Sequence, residues 1–207
     1  MIGLLGGTFD PVHFGHLRPA LEVRQQLGLD EVRFIPCRVP PHRDAPAASA
    51  DLRLRMLQAA LAGTPGFTAD ERELRREGPS YMVDTLRSLR AELGAMPLDL
   101  ILGADAFAGI DTWHQWREIP ELCHLVVMQR PGWDVPVAGE AGALVRGRLA
   151  REPQALRAQP AGLVYFCAVT ALDISATRIR ELLSQGLSPR YLLPDAVLEI
   201  IEAERIY

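Results

Sequence analysis

The chain has 207 residues, 48% of them hydrophobic and 23% charged, and a formal net charge of −4. This suits a packed globule and lacks the basic excess with which sequence-independent nucleic-acid binders hold phosphates. All 22 basic residues are Arg, which excludes mechanisms that need a lysine: a Walker A clamp, a Schiff base or a covalent lysyl-nucleotide.

Ile2 to Leu5 is a short apolar run closed by Gly6-Gly7, which predicts a buried strand entering a tight turn. From Gly15 onward Leu17, Ala20, Leu21 and Leu27 recur at helical spacing, with Pro19 near the first turn and Gly28 as the C-terminal cap. Glu31 to Pro36 reads as a second strand. The Pro-rich loop Pro36 to Ala48 leads from it to a helix over Asp51 to Ala62 with Leu54, Leu57 and Leu61 on one face. Phe67 to Asp70 reads as a short strand, and Ser80 as the cap of a helix running through Leu93 on a stripe of Met82, Leu86, Leu89 and Leu93.

Leu98 to Leu102, Leu125 to Met128 and Leu163 to Cys167 read as further strands, with a peripheral helix and loops over Trp133 to Pro160. Ser175 to Leu183 and Asp195 to Ala203 read as the last two helices. Alternating strands and helices predict an α/β chain, a doubly wound, mostly parallel sheet that binds ligands beyond the carboxyl ends of its strands. Residues 171–207 would be a small C-terminal helical subregion of a single domain, 1–207.

No apolar run approaches the roughly 20 residues of a membrane span, and the start lacks the basic n-region of a signal peptide. Cys37, Cys123 and Cys167 are odd in number and in no CxxC pair, against a disulfide framework or a zinc knuckle. A cytoplasmic protein is expected, with neither membrane nor nucleic acid as partner.

Gly6-Gly7-Thr8 after a strand lets backbone approach a ligand, and the next helix start offers N–H groups to an anion. His13 and His16, three apart, would share a face of the first helical turn and donate to phosphoryl oxygens, with Gly15 keeping the approach open. A second anion site far along the chain is Ile174-Ser175-Ala176-Thr177-Arg178, with two hydroxyls and a guanidinium at a helix start after a strand. Asp105 after Gly103-Ala104 stands at a strand end, where a carboxylate can accept from ribose hydroxyls. His42 and Arg43 sit on a loop stiffened by two prolines. Trp113 offers a ring to stack on, beside His114.

GGTFDPVHFGH with ISATRIR resembles the nucleotidyltransferase family of the HxGH type over nearly the whole chain, and within it most resembles the bacterial nicotinate mononucleotide adenylyltransferases. The resemblance implies a Rossmann-like fold and adenylyl transfer from ATP to nicotinate mononucleotide in NAD biosynthesis. It implies Mg²⁺ carried mainly by ATP, with no metal ligands from the protein, and a monomer or small homo-oligomer. His16 and His13 would be catalytic. ATP would be held by these and by Gly6, Gly7, Thr8, Phe9, Gly103, Asp105, Ile174, Ser175, Thr177 and Arg178. The mononucleotide would meet Thr8, His42, Arg43, Tyr81, Met82, Val83, Trp113, His114 and Arg130. His114 stands where a Tyr often follows the pocket Trp, and Met82 where some relatives have Thr; both departures touch the acceptor pocket. Two other readings stay open: an HxGH transferase with a phosphopantetheine or phospho-alcohol acceptor, and a nucleotide-sensing protein of the same fold without the reaction.

Overall fold

In a computed structural model that describes residues 1–40, 45–129 and 138–207, the first strand, β1 (Ile2–Gly7), runs through its two glycines instead of stopping before them. Gly6 and Gly7 continue the ladder opposite Ile35 and Pro36 of β2 (Glu31–Pro36). Between the two lies α1 (Phe14–Leu27), closed by Gly28 at φ 61°, whose N–H bonds the Arg24 carbonyl. Pro19 is inside this helix, in the second turn and not the first, at the cost of one ladder bond.

Ser49 caps α2 (Ala50–Leu61), accepting from the Leu52 N–H. The buried face is Arg53, Met56, Leu57 and Leu61, so Arg53 takes a core place that the sequence reading gave to Leu54. Then come β3 (Phe67–Ala69), the single turn α3 (Arg72–Arg75) and α4 (Met82–Leu93). Ser80 does not cap α4, because its hydroxyl accepts the Arg38 N–H at 2.9 Å; Tyr81 is the cap residue. The helix buries Val83, Thr85, Leu86 and Leu89, while Met82 and Leu93 are half-buried.

The second half comprises β4 (Leu98–Gly103), α5 (Ala104–Ala108), α6 (Ile119–Leu122), β5 (His124–Gln129), α7 (Gly139–Arg148), β6 (Val164–Ala168), α8 (Ala176–Ser184) and α9 (Asp195–Glu204). All strands are parallel, in the order β3-β2-β1-β4-β5-β6, a Rossmann-like doubly wound sheet. Each face is covered. Leu5, Phe34, Ile101 and Val126 pack under α1, α2 and α9, and Leu4, Leu100, Leu102 and Val127 pack under α4 and its neighbours. Burial on both faces explains why the strands read as near-continuous apolar runs.

The sheet also shows where a ligand enters. β1 and β4 pair only from Ile2–Leu98 to Leu4–Leu100, yet β1 continues along β2 to Gly7 and β4 along β5 to Gly103. The two central strands therefore part toward their carboxyl ends, at the point where the winding reverses, and leave a crevice there. No helix among the described residues is long and apolar enough to cross a membrane.

Candidate active site

At the end of β1 the chain turns sharply. Phe9 takes φ 50°, in the left-handed region, and its ring is 1% exposed, wedged against Phe34 and edge-on to His16 at 5.1 Å. Phe9 was expected beside ATP, but its side chain is the floor of the turn, leaving only its backbone to face a ligand. Gly7 fits because a Cβ there would stand 3.0 Å from that ring. Gly6 is exposed, with the Met82 methyl poised over it: a Cβ would meet Met82 Cε at 2.6 Å. This contact brings the start of α4 to the end of β1.

His13 is the cap residue of α1 rather than part of its first turn, so the two histidines meet by stacking, with ring centroids 3.8 Å apart. The His13 N–H donates to His16 Nδ1 at 3.3 Å. An Nδ1 that accepts puts the ring proton on Nε2, making that atom the donor. His13 is 4% exposed, its Nδ1 has no hydrogen-bond partner among the described residues, and burial lowers its pKa to about 4, so it stays neutral. The helix start offers fewer amides than expected. Phe14 N–H bonds the Leu192 carbonyl and His16 N–H the His13 carbonyl, leaving Gly15 the first-turn amide available to an anion.

The second anion motif lies against the first. A Cβ on Gly15 would stand 2.9 Å from the Ile174 carbonyl and 2.9 Å from the His13 ring, so the starts of α1 and α8 abut. Ser175 caps α8 by accepting from the Arg178 N–H at 3.2 Å, and its own hydroxyl proton remains to donate. Thr177 is exposed and accepts from Arg180, while the exposed Arg178 reaches Glu181 at 3.4 Å. On the adenylyl-transfer expectation that the motif resemblance implies, Gly15→Ala should raise KM for ATP about tenfold with unchanged circular dichroism, in line with the ~1–3 kcal/mol cost of overpacking. Steady-state kinetics at varied ATP checks this, and a wild-type KM would show that the abutment does not shape the nucleotide site.

Gly103 ends β4 and precedes α5, which places the exposed Asp105 in the first turn at the mouth of the crevice. On the α4 side, the Tyr81 ring stacks on His114 at 4.2 Å, and Trp113 packs half-buried against the cluster beneath α4. Val83 was expected at the mononucleotide, but its side chain is fully buried in the core. The backbone amides of Met82 and Val83 open α4 and lack intrahelical acceptors. His42, Arg43 and Arg130 lie outside the described residues.

A family model described as cytidylyltransferase-like matches residues 4–182. The chain belongs to the cytidylyltransferase-like family. It is 55% identical, over 100% of its length and 99% of the relative's, to a Methylococcus capsulatus protein named "Probable nicotinate-nucleotide adenylyltransferase". A Halorhodospira halophila protein of the same name is 52% identical, over 98% of this chain and 93% of that one. Among solved structures, Plasmodium falciparum nicotinic acid mononucleotide adenylyltransferase complexed with NaAD aligns with a TM-score of 0.71 at 14% identity, over 99% of this chain and 95% of that chain. That likeness establishes a shared fold.

Around this cytidylyltransferase-like site the structure adds residues that motif reading did not single out. Arg53 is 1% exposed and donates to the Thr8 carbonyl at 2.7 Å. The Asp10 carboxylate, 5% exposed, accepts from the amides of Ala47 and Ala48, and Arg180 Nη1 donates to the Asp10 carbonyl at 2.6 Å. Asp10 stood inside the quoted motif without a role. Arg53 was legible only as a charge at i−4 from Leu57 and i−8 from Leu61, on the buried face of a helix.

Proposed function

We infer that this chain is an enzyme that transfers the adenylyl group of ATP to nicotinate mononucleotide, giving nicotinate adenine dinucleotide and pyrophosphate, in NAD biosynthesis. The observation that carries this reading is the abutment of α1 and α8 across Gly15 and Ile174, beside the β1 turn and the start of α4. It joins two phosphate-binding helix starts to an aromatic acceptor wall, in a chain whose full-length relatives carry that activity in their names.

The proposed step is direct and in-line. A phosphate oxygen of the mononucleotide attacks the α-phosphorus of ATP, and the bond from that phosphorus to the bridging oxygen breaks. Pyrophosphate leaves with the oxygen and its electron pair. The acceptor arrives ionised, so no protein group need remove a proton from it. Lysine and cysteine routes to a covalent intermediate are closed: the sequence has no lysine, and burial pushes up the thiols of Cys37, Cys123 and Cys167. Positioning and charge stabilisation then supply the rate. His16 Nε2 is assigned to the α-phosphoryl oxygens. The Gly15 amide, Ser175, Thr177 and Arg178 are assigned to the triphosphate, and His13 lends its neutral ring.

Mg²⁺ is proposed to enter on the triphosphate as part of the substrate, a hard cation satisfied by phosphate oxygens and water. Among the described residues no group of three or more His, Cys, Asp or Glu is placed to hold a metal. The Met82 and Val83 amides are assigned to the nicotinate carboxylate in place of a Thr hydroxyl, with the pyridine ring against Trp113 and the Tyr81–His114 stack. We place the enzyme in the cytoplasm as a monomer or small homo-oligomer.

The test is incubation with ATP, Mg²⁺ and, separately, nicotinate mononucleotide, nicotinamide mononucleotide and phosphopantetheine, with products identified by mass. The expected outcome is nicotinate adenine dinucleotide as the main product and no adduct of phosphopantetheine. Absence of a dinucleotide from either mononucleotide would refute the reading.

A further inference from the structure

Gly15, Glu22 and Gln26 of α1 are seven and four residues apart. At ~100° per residue this spacing puts them within about 20° of one line along the helix. Gly15 opens the line beside His16. Glu22 and Gln26 continue it with polar side chains, and both reach the chain that leaves β6.

Glu22 is 8% exposed and accepts on both carboxylate oxygens: Oε1 takes Arg18 Nε at 2.6 Å, and Oε2 takes the Thr170 N–H at 2.6 Å. One turn further, the exposed Gln26 donates through Nε2 to the Ala168 carbonyl at 2.8 Å and accepts the Cys167 thiol at 3.3 Å. At the other end of the line, the Ile174 carbonyl stands 2.9 Å from where a Gly15 Cβ would be. Residues 168, 170 and 174 thus meet α1 at 26, 22 and 15, in reverse order. The spans agree. Four helical residues rise ~6 Å and two extended ones cover about 7 Å; seven rise ~10 Å, within the roughly 14 Å that four extended residues reach. The chain from β6 to α8 therefore runs back along α1 toward the helix start.

The first part of this return run has little else to hold it. Val169 is buried, and its N–H donates to the Gln129 carbonyl at 3.1 Å just beyond the β5–β6 pairing. Thr170 to Asp173 are exposed, and among the described residues they hydrogen-bond to Glu22 and to nothing else. Ile174 is half-buried against the core. Further on, α8 stays docked through buried Ile179 and through Arg180 on the Asp10 carbonyl. Ser175 lies between, exposed, where the run turns into helix. Its position relative to His16 therefore depends on where the run is fixed on α1. A carboxylate suits that task, because its bonds to backbone N–H groups are short and about twice as strong as neutral ones, and more so away from water.

We propose that Glu22, supported by Gln26, is a positioning residue for the nucleotide: it fixes the run 168–174 along α1 and so sets the spacing between His16 and Ser175. This rests on the reading of the chain as an ATP-dependent adenylyltransferase, in which those two helix starts share the triphosphate. Loosening the run acts on the nucleotide and leaves the acceptor side, at the start of α4, in place.

The experiment compares wild type with Glu22→Ala, Glu22→Gln and Gln26→Ala, with kcat and KM measured separately for each substrate and scaled to folded protein by circular dichroism. Glu22→Ala is expected to raise KM for ATP about tenfold, a loss of ~1.4 kcal/mol, with KM for nicotinate mononucleotide within about threefold of wild type. Glu22→Gln keeps an oxygen for the Thr170 N–H while Arg18, half exposed, swings away, so its KM for ATP should stay within about twofold of wild type. Gln26→Ala changes an exposed side chain and probes the same line where Glu22→Ala lowers the yield of folded protein; its KM for ATP should rise about threefold. Equal rises in both KM values, or an unchanged KM for ATP in Glu22→Ala and Gln26→Ala, would overturn the proposal. So would a Glu22→Gln as impaired as Glu22→Ala, because the bond to the amide survives there.

Two further measurements need no turnover. Exchange of the Thr170 amide, followed by NMR, should be slow in wild type and faster in Glu22→Ala. Calorimetric binding of ATP with Mg²⁺, without acceptor, should weaken in step with KM. Equal exchange would overturn the anchoring, and equal ATP affinity the positioning. If wild type makes no dinucleotide while both differences are present, the functional reading fails and the positioning stands.

Discussion

His16→Ala is expected to lower kcat by on the order of 10² to 10³ while leaving the fold and the melting temperature close to wild type, the range seen when one donor to a developing anion is removed. The fold should tolerate the change because His16 is half-buried at a helix start, where its ring meets Phe9 edge-on and stacks on His13. Turnover should not tolerate it, because the His13 N–H on His16 Nδ1 fixes the tautomer whose Nε2 proton donates. His16→Asn separates the roles, since an amide can donate where Ala cannot. The variant should recover part of the loss at high pH and low pH alike, with KM for ATP near that of His16→Ala. A kcat within about threefold of wild type for His16→Ala, measured as pyrophosphate release at saturating substrates, removes His16 from the reaction.

His13 is expected to behave differently, although the two rings touch. It is the more buried of the pair, and its neutral state is enforced by burial, so a substitution there disturbs packing as well as chemistry. Sequence spacing alone gave the two histidines equal standing on one helical face. Their separation comes from the cap geometry: His13 at φ −150° is outside the helix, and its backbone N–H supports its partner.

That difference marks where sequence reading stopped. The order of strands and helices was legible, because apolar runs and helix stripes report burial directly. Element ends were less so. Gly6 and Gly7 looked like a turn and are paired strand, and Ser80 looked like a cap but serves Arg38 in a neighbouring segment. Both cases depend on a partner remote in sequence. The same holds for Arg53 and Asp10, whose hydrogen-bond partners lie 45 and 38 residues away. Local pattern carries no sign of such contacts, apart from the oddity of a charge on a core stripe.

Asp99→Asn is expected to stabilise the protein at neutral and alkaline pH, by an amount that vanishes in acid. Asp99 is the second residue of β4, fully buried, with neither carboxylate oxygen hydrogen-bonded among the described residues. Burial pushes its pKa up to about 7 from an ordinary 3.8, against the smaller opposing pull of the N-terminal ammonium and Arg157. Below pH 3.8 the acid is neutral in both folded and unfolded chains and contributes no pH dependence. Between 3.8 and about 7 the unfolded chain ionises while the folded one does not, so stability falls as pH rises; above about 7 the whole penalty is present. A shift of this size corresponds to on the order of 4 kcal/mol. Asn has the same shape and no charge, so the two proteins should be near-equal at pH 4, with the variant ahead by a few kcal/mol at pH 8.

His13 acts in the opposite sense over the same window, since its folded pKa of about 4 lies below an ordinary 6.5. Its contribution is complete above 6.5 and is lost as pH falls toward 4. Wild type alone therefore shows a muted pH profile, in which the two groups offset each other. The difference between wild type and Asp99→Asn isolates the acid, and urea unfolding at intervals from pH 4 to pH 8 measures it. A difference that does not grow with pH would mean that Asp99 is solvated or paired in the folded protein. Because Asp99 lies at the opposite end of β4 from Gly103 and the crevice, the gain should leave KM and kcat unchanged. This separates a buried acid that only weakens the sheet from the buried groups near Thr8 that hold the site.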